Sequence, residues 1–178
     1  MRKLLIIPIL TLITACNCQK KVSDKTSEIK KDEIVTNSTC PSDGKCTIEV
    51  IKNKSLEVKS DEFGSNYYNL TDNMNTSVVL YRYDRNVEEG LQDASYKEEI
   101  IFEINNNEKQ LSLSDRDLQK TKMIFGRICF CRGQTGYYKV QSGKLFLENQ
   151  KENIILDLNF KITEVPQVIN SFNYTISK

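Results

Sequence analysis

Residues 154 to 162 read IILDLNFKI, and this alternation is the strongest constraint the chain places on its own fold. In an extended backbone Ile154, Leu156, Leu158, Phe160 and Ile162 share one face, and Asp157, Asn159 and Lys161 share the other. A period of two with one apolar face describes a half-buried β-strand. The run Glu99 to Ile104 repeats the pattern, with Ile100, Phe102 and Ile104 directed inward. Further strands are predicted at Ser77 to Tyr83, Lys122 to Cys131, Tyr137 to Val140, Lys144 to Leu147 and Ser171 to Ile176. Thr47 to Ile51 and Ser55 to Lys59 are expected to pair with each other across a turn at Asn53-Lys54. Asn105-Asn106-Asn107, Arg132-Gly133-Gln134, Gln141-Ser142-Gly143 and Asn149-Gln150-Lys151 supply residues that tolerate tight hairpin turns. Glu62 to Ser77 reads as an exposed loop or one weak strand at Tyr67-Tyr68, and Asn86 to Ala94 as a loop. Helix is confined to Ser114 to Lys120, with Ser114 as N-cap. The expected class is mainly β, an antiparallel β-sandwich or barrel of short strands with little helix.

Composition narrows the chemistry. A chain of 178 residues holds one ordinary domain. It contains no His, which removes Ser-His-Asp and Cys-His nucleophiles and histidine-based zinc catalysis. Lys+Arg is 25 and Asp+Glu is 24, so there is no basic footprint for nucleic acid. Trp is absent, which weakens a carbohydrate-stacking reading. Glu98 and Glu99 are adjacent in a strand and face opposite ways, so they cannot share a glycosidase-type site.

The first residues have a different logic. Arg2 and Lys3 precede a nearly apolar run from Leu4 to Ile13, too short for a stable membrane span and arranged as a secretory signal. It ends in Leu12-Ile13-Thr14-Ala15-Cys16, which resembles the lipobox of bacterial lipoproteins cut by type II signal peptidase; the resemblance covers residues 1–16. It implies a signal peptide over 1–15, a diacylglycerol thioether on Cys16 and acylation (palmitate or a similar chain) of the new amino terminus. Several acyl chains would hold the protein to a membrane. Asn17 in place of Asp resembles the outer-membrane class, on its periplasmic or surface face. Residues 16–39 then form the lipidated Cys and a polar tether: Gln19 to Thr39 is rich in Lys, Asp, Glu, Ser and Thr and cannot bury a core. Residues 40–178 form the single β domain.

Cysteine is the one reactive residue type with a pattern. Besides Cys16 and Cys18, the chain carries Cys40 and Cys46 with five residues between them, and Cys129 and Cys131 with one. In an exported chain such pairs are disulfide candidates. Residues two apart in a regular strand lie roughly 6.5–7 Å apart, beyond disulfide reach. Cys129 and Cys131 are therefore predicted to cross-link to Cys40 and Cys46, closing loops of roughly 80–90 residues that the chain-entropy model credits with ~4 to 5 kcal/mol. A four-thiolate metal site departs from the usual zinc spacing. A redox C-x-C flanked by Arg127 and Arg132 is the sharper alternative. The expected function is a membrane-anchored cell-envelope lipoprotein with a non-enzymatic domain for binding or structural support, without cofactor or metal. Its contact with the membrane is through acyl chains on Cys16, and its protein or small-molecule partner is undetermined. The alternative is a thiol-based envelope redox protein or sensor.

Overall fold

The computed structural model describes residues 34–36, 40–88, 90–91 and 93–177. The expectations for the signal segment, Cys16, Cys18 and most of the tether fall outside those residues. The described chain is mainly β, with two antiparallel five-stranded sheets packed together. The strands are β1 (Ile34–Thr36), β2 (Gly44–Ser60), β3 (Asn66–Arg85), β4 (Tyr96–Asn105), β5 (Gln110–Ser114), β6 (Ile124–Cys129), β7 (Gly136–Lys139), β8 (Gly143–Asn149), β9 (Asn153–Phe160) and β10 (Ser171–Ser177). One sheet has the order β1-β10-β9-β8-β5 and the other β2-β3-β4-β6-β7.

The alternation of β9 places Ile154, Leu156, Leu158 and Phe160 in the core between the sheets, where Ile162 joins them from the following loop. Tyr81 of β3 stacks on Phe172 of β10 with ring centroids 4.4 Å apart, tying one sheet to the other. Three glycines, Gly44, Gly126 and Gly143, sit at close approaches with no room for a side chain. A Cβ on Gly126 would sit 2.5 Å from the Tyr137 ring, and one on Gly143 would sit 2.1 Å from the Asn159 carbonyl oxygen.

Several local expectations are corrected. Thr47 to Ile51 and Ser55 to Lys59 do not pair with each other. Both belong to one 17-residue strand, β2, which pairs along its length with the 20-residue β3. Asn53 takes a positive φ of 59°, as a turn residue would, but it makes a bulge: Lys52 faces Ser77 and Lys54 faces Asp72. Tyr67 and Tyr68, expected in an exposed loop or weak strand, lie within β3. These two strands are long rather than short. The helical segment is a 3-10 helix, Asp115–Thr121, whose N-cap Ser114 makes no side-chain capping bond. Lys122 ends it in the left-handed conformation, so β6 starts only at Ile124. The strand β5 was not anticipated; its alternating Leu111 and Leu113 pack on the core. The three residues of β1 pair with β10, so the sheet begins inside the segment read as tether.

Beyond the bulge the β2–β3 ribbon folds over the outer face of its own sheet. Leu56, Val58, Tyr68 and Leu70 from its far half cluster with Val78, Leu80, Ile101, Ile124 and Tyr137. Asn66 then pairs with Tyr137 of β7, so the ribbon reaches the opposite edge of the sheet. This second core explains why β4 reads Ile100-Ile101: Ile100 faces the space between the sheets and Ile101 faces the folded ribbon.

Candidate functional site

The four cysteines of the domain form two disulfides, Cys40–Cys46 and Cys129–Cys131, with Cα separations of 5.7 and 5.2 Å. The expected cross-link between the pairs is overturned, and the strand order gives the reason. Cys46 lies on β2 and Cys129 on β6, with β3 and β4 between them. Three strand spacings amount to roughly 14 Å, twice the reach of a disulfide. The premise that β6 stays regular through Cys131 also fails: the strand ends at Cys129, and the chain turns through Phe130 and Cys131. Cys40 and Cys46 instead close the Pro41–Gly44 turn, in which Gly44 N–H donates to Pro41 O. With all four sulfurs paired, no thiolate is left for a four-cysteine metal site. Among the described residues no group of three or more His, Cys, Asp or Glu could hold a metal ion.

The richest cluster of chemistry surrounds Cys129–Cys131. Tyr96 stands opposite Cys129 and Glu98 opposite Arg127, because β4 and β6 pair in that register. Arg127 is buried at 8% exposure. Its Nη1 donates to Gln134 Oε1 at 2.8 Å, and its Nη2 lies 3.7 Å from Cys131 Sγ. Its buried Nε has no hydrogen-bond partner among the described residues. The guanidinium carbon sits 5.4 Å from the centroid of the Tyr96 ring, which also carries Arg85 at 4.3 Å. Burial first, then the hydrogen bond to Glu98, pushes the Tyr96 phenol well above its ordinary range. Arg85 is also paired with Asp43 Oδ2 at 3.4 Å, which leaves Arg127 as the cation in contact with the disulfide. Phe130, between the two cysteines, is 80% exposed.

The neighbouring carboxylates are occupied. Glu98 is fully buried; it accepts from the Val168 and Ile169 backbone N–H groups, both at 2.7 Å, and from the Tyr96 hydroxyl. Glu99 faces the other way, as expected, and binds Arg82 Nε at 2.8 Å and the Tyr137 hydroxyl at 3.1 Å. Burial, then the Glu99 charge, holds the Tyr137 phenol above its ordinary range. Each carboxylate thus joins two elements. A shallow concavity beside the β9–β10 loop is lined by Lys161, Pro166, Gln167 and Asn170, but Gln167 spends its amide on Ile162 N–H, Phe160 O and Ile169 O.

The sequence pointed to Arg127 and the cysteines but missed Tyr96, Glu98, Gln134 and Arg85. One signal was available: Tyr96, Glu98 and Ile100 share a parity, so an acid falls at an inward position. No protein-family model matches this chain, and neither a curated protein nor a solved structure shows significant similarity to it.

Proposed function

We propose that the protein is a bacterial cell-envelope lipoprotein, held to a membrane by acyl chains on Cys16, whose β-sandwich serves binding or structural support. The observation that carries this reading is the run Leu12-Ile13-Thr14-Ala15-Cys16, behind a short basic and apolar segment and ahead of a polar stretch. The domain suits such a post. Its two apolar cores and two local disulfides are compatible with an oxidising compartment, and its connections present Phe63 and Phe130 to solvent on a rigid β framework. Placement at the outer membrane follows the Asn17 resemblance.

The test is Cys16→Ala in a bacterial host. The wild-type chain should incorporate labelled palmitate, lose its first 15 residues and partition with membranes. The variant should accumulate at precursor length without label. Cleavage near Ala15 in the variant, or an unlabelled mature wild-type protein, would show an ordinary secreted domain instead. A second check concerns the polar segment: limited proteolysis should nick it and release a stable domain, because exposed polar backbone is cut first. Pairing of β1 with β10 sets the expected new terminus before Ile34 rather than at Cys40.

A further inference from the structure

We propose that Cys129–Cys131 is a reversible dithiol/disulfide couple that exchanges with an exposed protein dithiol, with Arg127 stabilising Cys131 as the thiolate and Phe130 making the docking contact. The proposal stands apart from the lipid anchor and does not require it.

Three observations carry it. The first is that the bond is redundant for the fold. It closes a loop of only three residues, and a loop this short removes little entropy from the unfolded chain. It runs from the last ladder pair of β4 and β6, Tyr96 with Cys129, into the turn that follows. The turn is already held without it: Gln134 N–H donates to Cys131 O at 3.0 Å, Arg127 Nη1 to Gln134 Oε1, and Thr135 Oγ1 to Arg127 O at 3.1 Å. The second observation is the asymmetry of the two sulfurs. Cys129 packs against the core, while Cys131 has the guanidinium of Arg127 beside its Sγ. The charged and titratable groups around it are Arg127 on β6, Tyr96 and Glu98 on β4, the exposed Arg132 in the turn and, across the Tyr96 ring, Arg85 on β3, which is itself paired with Asp43 Oδ2 at 3.4 Å. The Glu98 oxygens are committed to Val168, Ile169 and Tyr96, and the Arg127 guanidinium is the charged group with an atom 3.7 Å from Cys131 Sγ. At Cys40–Cys46 the neighbour of the sulfur is a carbonyl rather than a guanidinium: Cys40 Sγ lies 3.9 Å from the Gly44 carbonyl oxygen, and Arg85, which stands opposite Gly44, is paired with Asp43. The third is Phe130, an exposed ring held at the bond itself.

The exchange balances as a two-electron transfer. A thiolate of the partner dithiol attacks Cys129 Sγ. The Cys129–Cys131 bond breaks, and its electron pair leaves on Cys131 Sγ as a thiolate beside Arg127. The partner's second thiolate attacks its own sulfur in the mixed disulfide, forming the partner's disulfide and releasing Cys129 as a thiolate. Cys129 then takes one of the two protons the partner gave up. The partner is oxidised and this protein is reduced; the reverse sequence oxidises it again. A leaving thiol of low pKa leaves faster, which is the work assigned to Arg127.

The test uses the full chain in detergent, equilibrated at pH 7 with reduced and oxidised dithiothreitol, then alkylated and peptide-mapped. Cys129–Cys131 should open and reclose reversibly while Cys40–Cys46 stays closed and the near-ultraviolet circular dichroism persists. Opening only together with unfolding would overturn the proposal. In the reduced protein, alkylation of Cys131 should have its pH midpoint about one unit or more below that of Cys129. Arg127→Gln should raise that midpoint and slow reduction by dithiothreitol about tenfold, with Arg127→Lys restoring much of both. An unchanged midpoint in a folded R127Q would remove Arg127 from the chemistry. Should R127Q fail to fold, equal midpoints for the two thiols in the wild-type protein would do the same. Phe130→Ser should slow exchange with thioredoxin, used as the protein dithiol, about tenfold and leave exchange with dithiothreitol unchanged. Equal rates with both reductants, in wild type and variant alike, would refute the docking contact.

Discussion

Glu98→Ala is expected to destabilise the domain by about 3–5 kcal/mol, a large part of the net stability of a domain this size. The carboxylate is fully buried and serves three donors from two directions: the Val168 and Ile169 N–H groups in the β9–β10 connection, and the Tyr96 hydroxyl on its own strand. Truncation strands two backbone N–H groups and a phenol where water has little access, and each unsatisfied buried group costs roughly 1–3 kcal/mol. The connection also loses its tie to the other sheet, because Glu98 belongs to β4 while Val168 and Ile169 lie between β9 and β10. Glu98→Gln keeps the shape but has one acceptor oxygen in place of two, and its NH2 would oppose a backbone N–H. It should recover less than half of the loss. Urea unfolding at pH 7 reads both: the midpoint should fall with the slope nearly unchanged. A loss below 1 kcal/mol for the alanine variant would mean that the loop satisfies its N–H groups elsewhere, and the clamp would be abandoned.

The architecture was legible wherever a strand's periodicity had one cause. In β9, Ile154 to Phe160 face a single core and Asp157 and Asn159 face out, so alternation alone assigned the strand and its buried face. Glu98 and Glu99 were correctly placed on opposite faces for the same reason. What failed depended on contacts far apart in sequence. Asn53 occupies a backbone conformation that serves a hairpin turn and a bulge equally well. Only the partner strand distinguishes them, and β3 runs past the position on both sides. The disulfide pairing depended on strand order, since no local pattern says that β3 and β4 separate β2 from β6. The expectation for Cys129 and Cys131 rested on a regular strand, whereas β6 stops at the first of the two. Glu98 was a polar residue at an inward position, and that conflict between pattern and chemistry marked a residue with a structural task.

Removing Glu103 should release the folded ribbon rather than the sandwich. Glu103 Oε2 accepts from Ser55 Oγ and Leu56 N–H, both at 2.7 Å, and from Lys122 Nζ at 2.8 Å. Ser55 and Leu56 follow the bulge directly, so this one carboxylate fixes where the far half of β2 lands on the outer face. Burial alone would raise its pKa, but Lys122, Ser55 and the Leu56 N–H outweigh that and hold it below the ordinary carboxylate value. For an acid with a depressed folded pKa, the stabilisation is complete above the unfolded value of 4.5 and is lost as pH falls through the folded value below it. Glu103→Ala should therefore cost about 2–3 kcal/mol at pH 7, less than Glu98→Ala because Lys122 and Ser55 can turn to water. The difference in stability between wild type and Glu103→Ala should shrink as the pH drops through that window. Hydrogen exchange locates the effect: the Leu56 amide should lose protection while Val79 and Leu156, in the core between the sheets, keep theirs below the threshold of global unfolding. Equal loss of protection at all three would show that the ribbon and the sandwich unfold as one unit. A pH-independent difference between the two proteins would show that the carboxylate's charge plays no part in holding the ribbon down.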